Sequence, residues 1–174
     1  MLLKNKKIAV LLAEGVEDLE YYVPMMRLIE EGAQVISAGL DLKAVRGKNG
    51  LEIKPAVTVD SLNPDDLDGL IVPGGWAPDK MRRYSTVTNL VSKMNQDGKV
   101  IGIICHGGLV AISAKIVAGH RVTGSLGIKD DLINAGGTWV DEAAFTDGNQ
   151  VWGRVVADIP DFCRELVHAL ATHG

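Results

Sequence analysis

Three short stretches carry side chains that could do chemistry. "IGIICHGG", residues 101 to 108, sets Cys105 and His106 between an apolar run and a glycine pair. "VPGGWAPD", residues 72 to 79, offers Gly74, Gly75, Trp76 and Asp79. "AEGVED", residues 13 to 18, offers Glu14, Glu17 and Asp18. A thiol attacks carbon once its proton has gone, so it needs a base nearby and donors for the oxyanion it creates. Cys105 fits the nucleophile role if the chain turns sharply from strand to helix at that point, exposing the apex side chain. The flanking glycines would let backbone approach closely, and the helix N-terminus would favour a thiolate. The competing reading is a small, inert thiol packed at a strand end. Adjacency to His106 decides little, because successive side chains on extended backbone point apart.

The other two stretches carry similar paired readings. Gly74-Gly75 leaves backbone N–H groups uncovered, and one of them could serve an oxyanion together with the N–H of His106. The alternative is a plain turn. Glu17 could hydrogen-bond the thiol or move its proton, with burial raising its pKa. Alternatively, Glu17 or Asp18 caps a helix. Asp79 has the same ambiguity in the first turn after Pro78. Trp76 and Trp152 read as pocket, core or subunit-contact residues.

What must position these residues is an alternation of buried strands and helices. "KIAVLLA", "AQVISAG", "LDGLIVPGG" and "KVIGII" are continuous apolar runs, the mark of strands covered on both faces. From residue 18 to 31, Leu19, Tyr22, Val23, Met26 and Ile29 fall on one helical face, and Gly32 ends that helix. Short strands flank the "KNG" turn at residues 48 to 50. Asn63-Pro64 looks like a cap. Helices are expected over residues 78 to 96 and through "GGLVAISAKIVAG". A short strand "RVTGS", a short helix at "GIKDDLINAGG", a hairpin around Asp147-Gly148-Asn149 and an amphipathic C-terminal helix complete the chain. The pattern predicts one α/β domain over residues 1 to 174, with a mostly parallel sheet covered on both faces. In such folds ligands collect beyond the carboxyl ends of the strands, where all three reactive stretches fall.

Composition narrows the partners. Of the 174 residues, 23% are charged and the net charge is −4, with no basic block, which argues against nucleic acid as a partner. No apolar run reaches the length of a membrane span or resembles a signal peptide. Two cysteines, Cys105 and Cys163, make no disulfide framework, so a reducing cytoplasm is expected. Cys163 lies among Phe162, Leu166 and Val167 and reads as a packed thiol. His120, His168 and His173 lack ligand spacing, so no metal and no cofactor is expected.

Taken together, "AEGVEDLE", "GLIVPGGWAPDKMR", "IGIICHGG", "GIKDDLINAGGTWVD" and "DGNQVWGR" with "ADIPDF" resemble the intracellular cysteine peptidases of the PfpI type, within the ThiJ/PfpI superfamily. The resemblance covers nearly the whole chain. It implies a three-layer, flavodoxin-like α/β fold similar to class I glutamine amidotransferases. It further implies Cys105 as nucleophile, His106 as base, Glu17 bonded to the thiol, and an oxyanion hole from the N–H groups of Gly75 and His106. Gly74, Trp76 and Trp152 would border the substrate. Asp79 would orient His106 from a neighbouring subunit of a homodimer or hexamer. It stands where Glu is usual, one methylene and about 1.5 Å shorter. Residues 124 to 127, "GSLG", lack the tyrosine the family places there.

The activities implied are peptidase, glyoxalase and protein deglycase, acting on peptides, small carbonyl compounds or glycated proteins. Thiol addition to a carbonyl asks less of the site than peptide cleavage, because no poor amine leaving group has to be expelled. The rival class is a non-enzymatic, redox-sensing stress-response protein with an oxidisable Cys105. A glutaminase-like reading needs a His and a Glu two residues apart, further along the chain. His120 has no such partner.

Overall fold

The computed structural model describes residues 1–173; Gly174 lies outside them. The apolar runs form the strands β1 (Lys7–Leu12), β2 (Gln34–Gly39), β6 (Gly69–Val72) and β7 (Val100–Ile104). Between them lie the short strands β3 (Val45–Arg46), β4 (Glu52–Ile53) and β5 (Val57–Thr58). After them come β8 (Arg121–Val122), β9 (Thr138–Trp139), β10 (Ala144–Asp147) and β11 (Gln150–Gly153). The helices are α1 (Asp18–Glu30), α2 (Ala77–Met81), α3 (Ser85–Gln96), α4 (Gly108–Ser113), α5 (Lys129–Asn134) and α6 (Ile159–Thr172).

Seven strands form the central sheet in the order β10-β11-β7-β6-β1-β2-β5. All neighbours are parallel except β10 and β11, which form the expected hairpin. Ile8, Val10, Leu70, Ile71, Ile101 and Ile103 are buried, as continuous apolar strands require when both faces are covered. α1 and α6 pack together, with α6 over β7, β10 and β11, while α4 contacts both α2 and α3 in the other layer. The fold is therefore the expected α/β three-layer arrangement. The chain leaves β1 toward β2 on one side and returns to β6 on the other. That reversal puts the switch point at the carboxyl ends of β1 and β6. Among the described residues, no helix is long and apolar enough to cross a membrane.

Three elements differ from the sequence reading. The helix expected over residues 78 to 96 is two helices. The chain leaves α2 through turn bonds at Arg83 and Tyr84, and Tyr84 is extended where α3 begins. The apolar run after Gly107 is helical only to Ser113, and Lys115 reverses the chain at a φ of 59°. α1 is rotated. Its expected packing stripe points outward, with Leu19, Val23, Met26 and Ile29 all exposed. Buried instead are Glu20, Tyr21, Pro24 and Leu28 on the other side of the helix.

Candidate active site

The loops after β1 and β6 are stitched together by backbone bonds. The Glu17 N–H donates to the Gly74 carbonyl at 3.1 Å, and the Trp76 N–H donates to the Gly15 carbonyl at 2.8 Å. This needs Gly75 at a φ of 79°, a conformation that costs glycine little, and a Cβ there would strike the backbone of residues 15 to 17. β7 ends beside this junction. Three strand ends thus open onto one pocket of about 350 Å3, lined among others by Glu17, Glu20, Lys48, Gly75, Cys105 and His106.

Cys105 leaves β7 with a φ of 58°, a left-handed conformation that side chains rarely adopt. The turn runs through a single 3-10 turn into α4. This is the strained strand-to-helix elbow anticipated from the sequence. Gly107 permits it, since a Cβ there would collide with the Val72 carbonyl. The N–H groups of His106 and Gly75 are directed at the Cys105 sulfur, and His106 Nδ1 lies 3.4 Å from Sγ.

The carboxyl group against the thiol belongs to Glu20, not Glu17. Glu20 is fully buried and its Oε2 accepts the Gly74 N–H at 2.8 Å. Its Oε1 has no hydrogen bond of ordinary geometry, and the carboxyl lies against Cys105. A Cβ on Gly74 would enter both the carboxyl and the Cys105 Cβ, so glycine keeps that approach open. Glu17 is one turn earlier and reaches sideways. Its Oε1 accepts from Asn49 Nδ2 at 2.6 Å, and its Oε2 pairs with Lys48 at 3.5 Å. It borders the pocket without holding the thiol.

The electrostatics also depart from expectation. Burial pushes the Cys105 thiol up to about 12, helped by the Glu20 charge and only partly offset by the His106 and Gly75 N–H groups. The helix terminus does not produce a low-pKa thiol here. Burial pushes Glu20 up to about 7, against the pull of the Gly74 N–H and the Cys105 thiol. Cysteine and glutamate compete for one proton in a space that disfavours charge on either. Burial, then the charge of Lys48, lowers His106, so its imidazole is neutral near pH 7.

The remaining expected residues divide. Trp76 is 66% exposed on the pocket rim, with Lys48 Nζ 5.6 Å from its ring centroid. Trp152 is not a pocket residue. It is wholly buried in β11, and its indole N–H donates to Gln150 Oε1 at 3.1 Å. Apolar strand burial won over the reading of a reshaped pocket. Asp79 lies on the exposed side of α2, paired with Arg83, and does not line the pocket of its own chain.

Lys48, Ser125 and the segment from Val155 to Ala157 line the site and were not foreseen. The signal for Lys48 was its place in the "KNG" turn. Asp18 fastens that turn by accepting the N–H groups of Asn49 at 2.7 Å and Leu51 at 3.0 Å.

A half-buried thiol on a strained elbow between a flavodoxin-like sheet and its helix, with a carboxyl against it, defines a class. The match to the DJ-1/PfpI family model spans residues 6–169, and the chain belongs to that family. Deglycase PfpI of Pyrococcus furiosus is 40% identical over 164 residues, 94% of this chain and 99% of that one. A Bacillus subtilis relative named "Putative cysteine protease YraA" is 34% identical over 167 residues, 95% of this chain and 99% of its own. The crystal structure of Drosophila melanogaster DJ-1beta superposes with a TM-score of 0.90 at 27% identity, over 95% of this chain and 90% of that one.

Proposed function

We propose that this protein is a cysteine-nucleophile enzyme acting on reactive dicarbonyls and on their early adducts with proteins. The observation that carries the reading is the Glu20 carboxyl against Cys105 on its elbow, with two N–H groups aimed at the same place. Transfer of the thiol proton to Glu20 leaves a thiolate beside a neutral acid, so no net charge is added to the buried site. The sulfur adds to the aldehyde carbon, and the carbonyl π pair becomes an alkoxide. The N–H groups of Gly75 and His106 stabilise that oxygen. Protonation by Glu20 gives the hemithioacetal. For a free dicarbonyl, neutral His106 then takes the proton from the former aldehyde carbon and returns it to the neighbouring carbonyl carbon through an enediol. Water cleaves the resulting thioester, releasing a hydroxy acid and restoring the thiol. For an early adduct on a protein, a hemiaminal, the C–S bond forms as the C–N bond at the same carbon breaks, and the proton held by Glu20 leaves on the protein's amine, giving the same hemithioacetal.

Peptide cleavage uses the same nucleophile on an amide, and the name of the Bacillus relative favours it as a second reading. The reading extends to self-association. The exposed stripe on α1 is about 15 Å long, from the rise of a helix, and suits an isologous pairing of two copies. Asp79 then belongs to the question of whether a neighbouring chain reaches His106.

Turnover of methylglyoxal, of a methylglyoxal-treated peptide and of a fluorogenic peptide by wild type and by Cys105→Ala tests the proposal. Loss of dicarbonyl or adduct turnover by at least ~1,000-fold in the variant is expected for a covalent nucleophile. Equal rates in wild type and variant, or no turnover of any of the three, would overturn it.

A further inference from the structure

A second cavity of about 380 Å3 adjoins the reactive pocket, and Val155 and Ala157 line both. Its other walls include Leu126, which is 75% exposed, and the half-buried Trp139. Lys129 Nζ lies 5.7 Å from the centroid of the Trp139 ring. The charged groups in this cavity satisfy one another. Arg154 donates to Asp158 at 2.9 and 3.1 Å and to Asp141 at 2.9 Å. That leaves no free guanidinium to attract an anion, and it leaves an apolar surface open beside the reactive site.

We infer that this cavity is a subsite for an apolar, preferably aromatic, side chain of the peptide whose neighbouring residue is presented to Cys105. The inference rests on the Cys105 nucleophile proposed above and names the substrate class more narrowly. Continuity with the reactive pocket selects the occupant. A free dicarbonyl of four or five heavy atoms fills the space at Cys105 and has nothing to place beyond the dividing wall. A peptide advances about 3.3 Å per residue, so a side chain one or two positions away falls within reach of the adjoining cavity. Protein-bound adducts and peptides would therefore gain binding that free dicarbonyls cannot.

Peptidyl chloromethyl ketones read this subsite without requiring turnover. The Cys105 sulfur bonds to the methylene carbon, the carbon–chlorine bond breaks, chloride leaves and the thiol proton passes through Glu20 to solvent. Alkylation rates, followed by intact mass, are compared for acetyl-Phe-Gly-, acetyl-Phe-Gly-Gly- and acetyl-Gly-Gly-chloromethyl ketone. One of the Phe reagents should react at least ~10-fold faster than the all-Gly reagent, the usual discrimination of an apolar pocket. In Leu126→Ser/Trp139→Ser that preference should fall below about threefold, with the rate toward iodoacetamide unchanged. Leu126→Ser alone, an exposed change, should show an intermediate loss if the double variant fails to fold. Equal rates for all three reagents in wild type would overturn the subsite, as would a preference that survives in both variants. A change in oligomer size caused by Leu126→Ser would also overturn it, by assigning the cavity to a second copy of the chain. Failure of Cys105 to react with iodoacetamide would instead remove the nucleophile beneath both proposals.

Discussion

At the scale of single residues, the site turns on one proton held between Cys105 and Glu20. While the pair holds two protons, no thiolate is available. Loss of the first, near pH 7, leaves either carboxylate and thiol or neutral acid and thiolate. Alkylation of Cys105 by iodoacetamide is therefore expected to rise with pH through a midpoint near 7 and then level off. Glu20→Gln should abolish that step and leave a single rise at higher pH, whereas Glu17→Gln should keep it. A step near 7 that persists in Glu20→Gln would assign the titration elsewhere.

The same glutamate affects stability, with the opposite sign from a salt-bridged carboxylate. Its pKa rises from 4.5 to about 7 on folding, so between those values the folded state binds more protons than the unfolded state. Stability from this group is fully present below pH 4.5 and is lost as pH rises to about 7, at most about 3 kcal/mol. Glu20→Gln should accordingly raise the melting temperature at pH 8 and change it little at pH 4.5. Equal shifts at both pH values would contradict this linkage.

At the scale of elements, the elbow and α1 explain what the sequence could and could not reveal. The elbow was legible because steric rules leave few options when glycines crowd a strand end before an apolar run. Its strain makes a further test. Glycine tolerates a φ of 58° where alanine pays about 1 kcal/mol. Cys105→Gly should therefore melt no lower than Cys105→Ala, the reverse of the usual order inside regular structure. A clearly more stable Cys105→Ala would argue against the left-handed conformation.

α1 was legible as a helix but not in its rotation. The stripe of Leu19, Val23, Met26 and Ile29 looked like a core face, whereas the sheet receives Glu20, Tyr21, Pro24 and Leu28. Glu20 lies just beyond the "AEGVED" stretch, whose carboxylates were the ones read for chemistry, so the sequence pointed to Glu17 instead. Periodicity identifies an apolar stripe but not whether it meets its own core or another molecule. For Trp152 the core reading matches and the pocket reading does not, since a tryptophan in a buried strand carries the same letters whether it lines a pocket or packs beside Gln150.

At the scale of the whole molecule, the outward stripe on α1 carries the prediction about assembly. Large contiguous apolar surfaces on soluble proteins usually mark contacts. Val23→Asp/Met26→Asp is expected to halve the mass seen by light scattering during gel filtration, with no loss of helix signal in circular dichroism. Unchanged mass would leave the stripe without a role in self-association. Because Glu17 directly precedes α1 and Glu20 lies buried in its first turn, a partner covering the outer face would bear on the helix that positions both pocket carboxyls.

The raised thiol has a consequence for how long the protein keeps its reactive group. Peroxides and other oxidants consume thiolates and largely spare thiols. A sulfur that stays protonated until a carbonyl is ready to receive it has a long chemical lifetime. Under the proposed mechanism, the proton shared with Glu20 leaves the sulfur only as an electrophile adds. Selectivity of this kind comes from an idle state that is hard to spoil, and it does not require the pocket to recognise and exclude each oxidant.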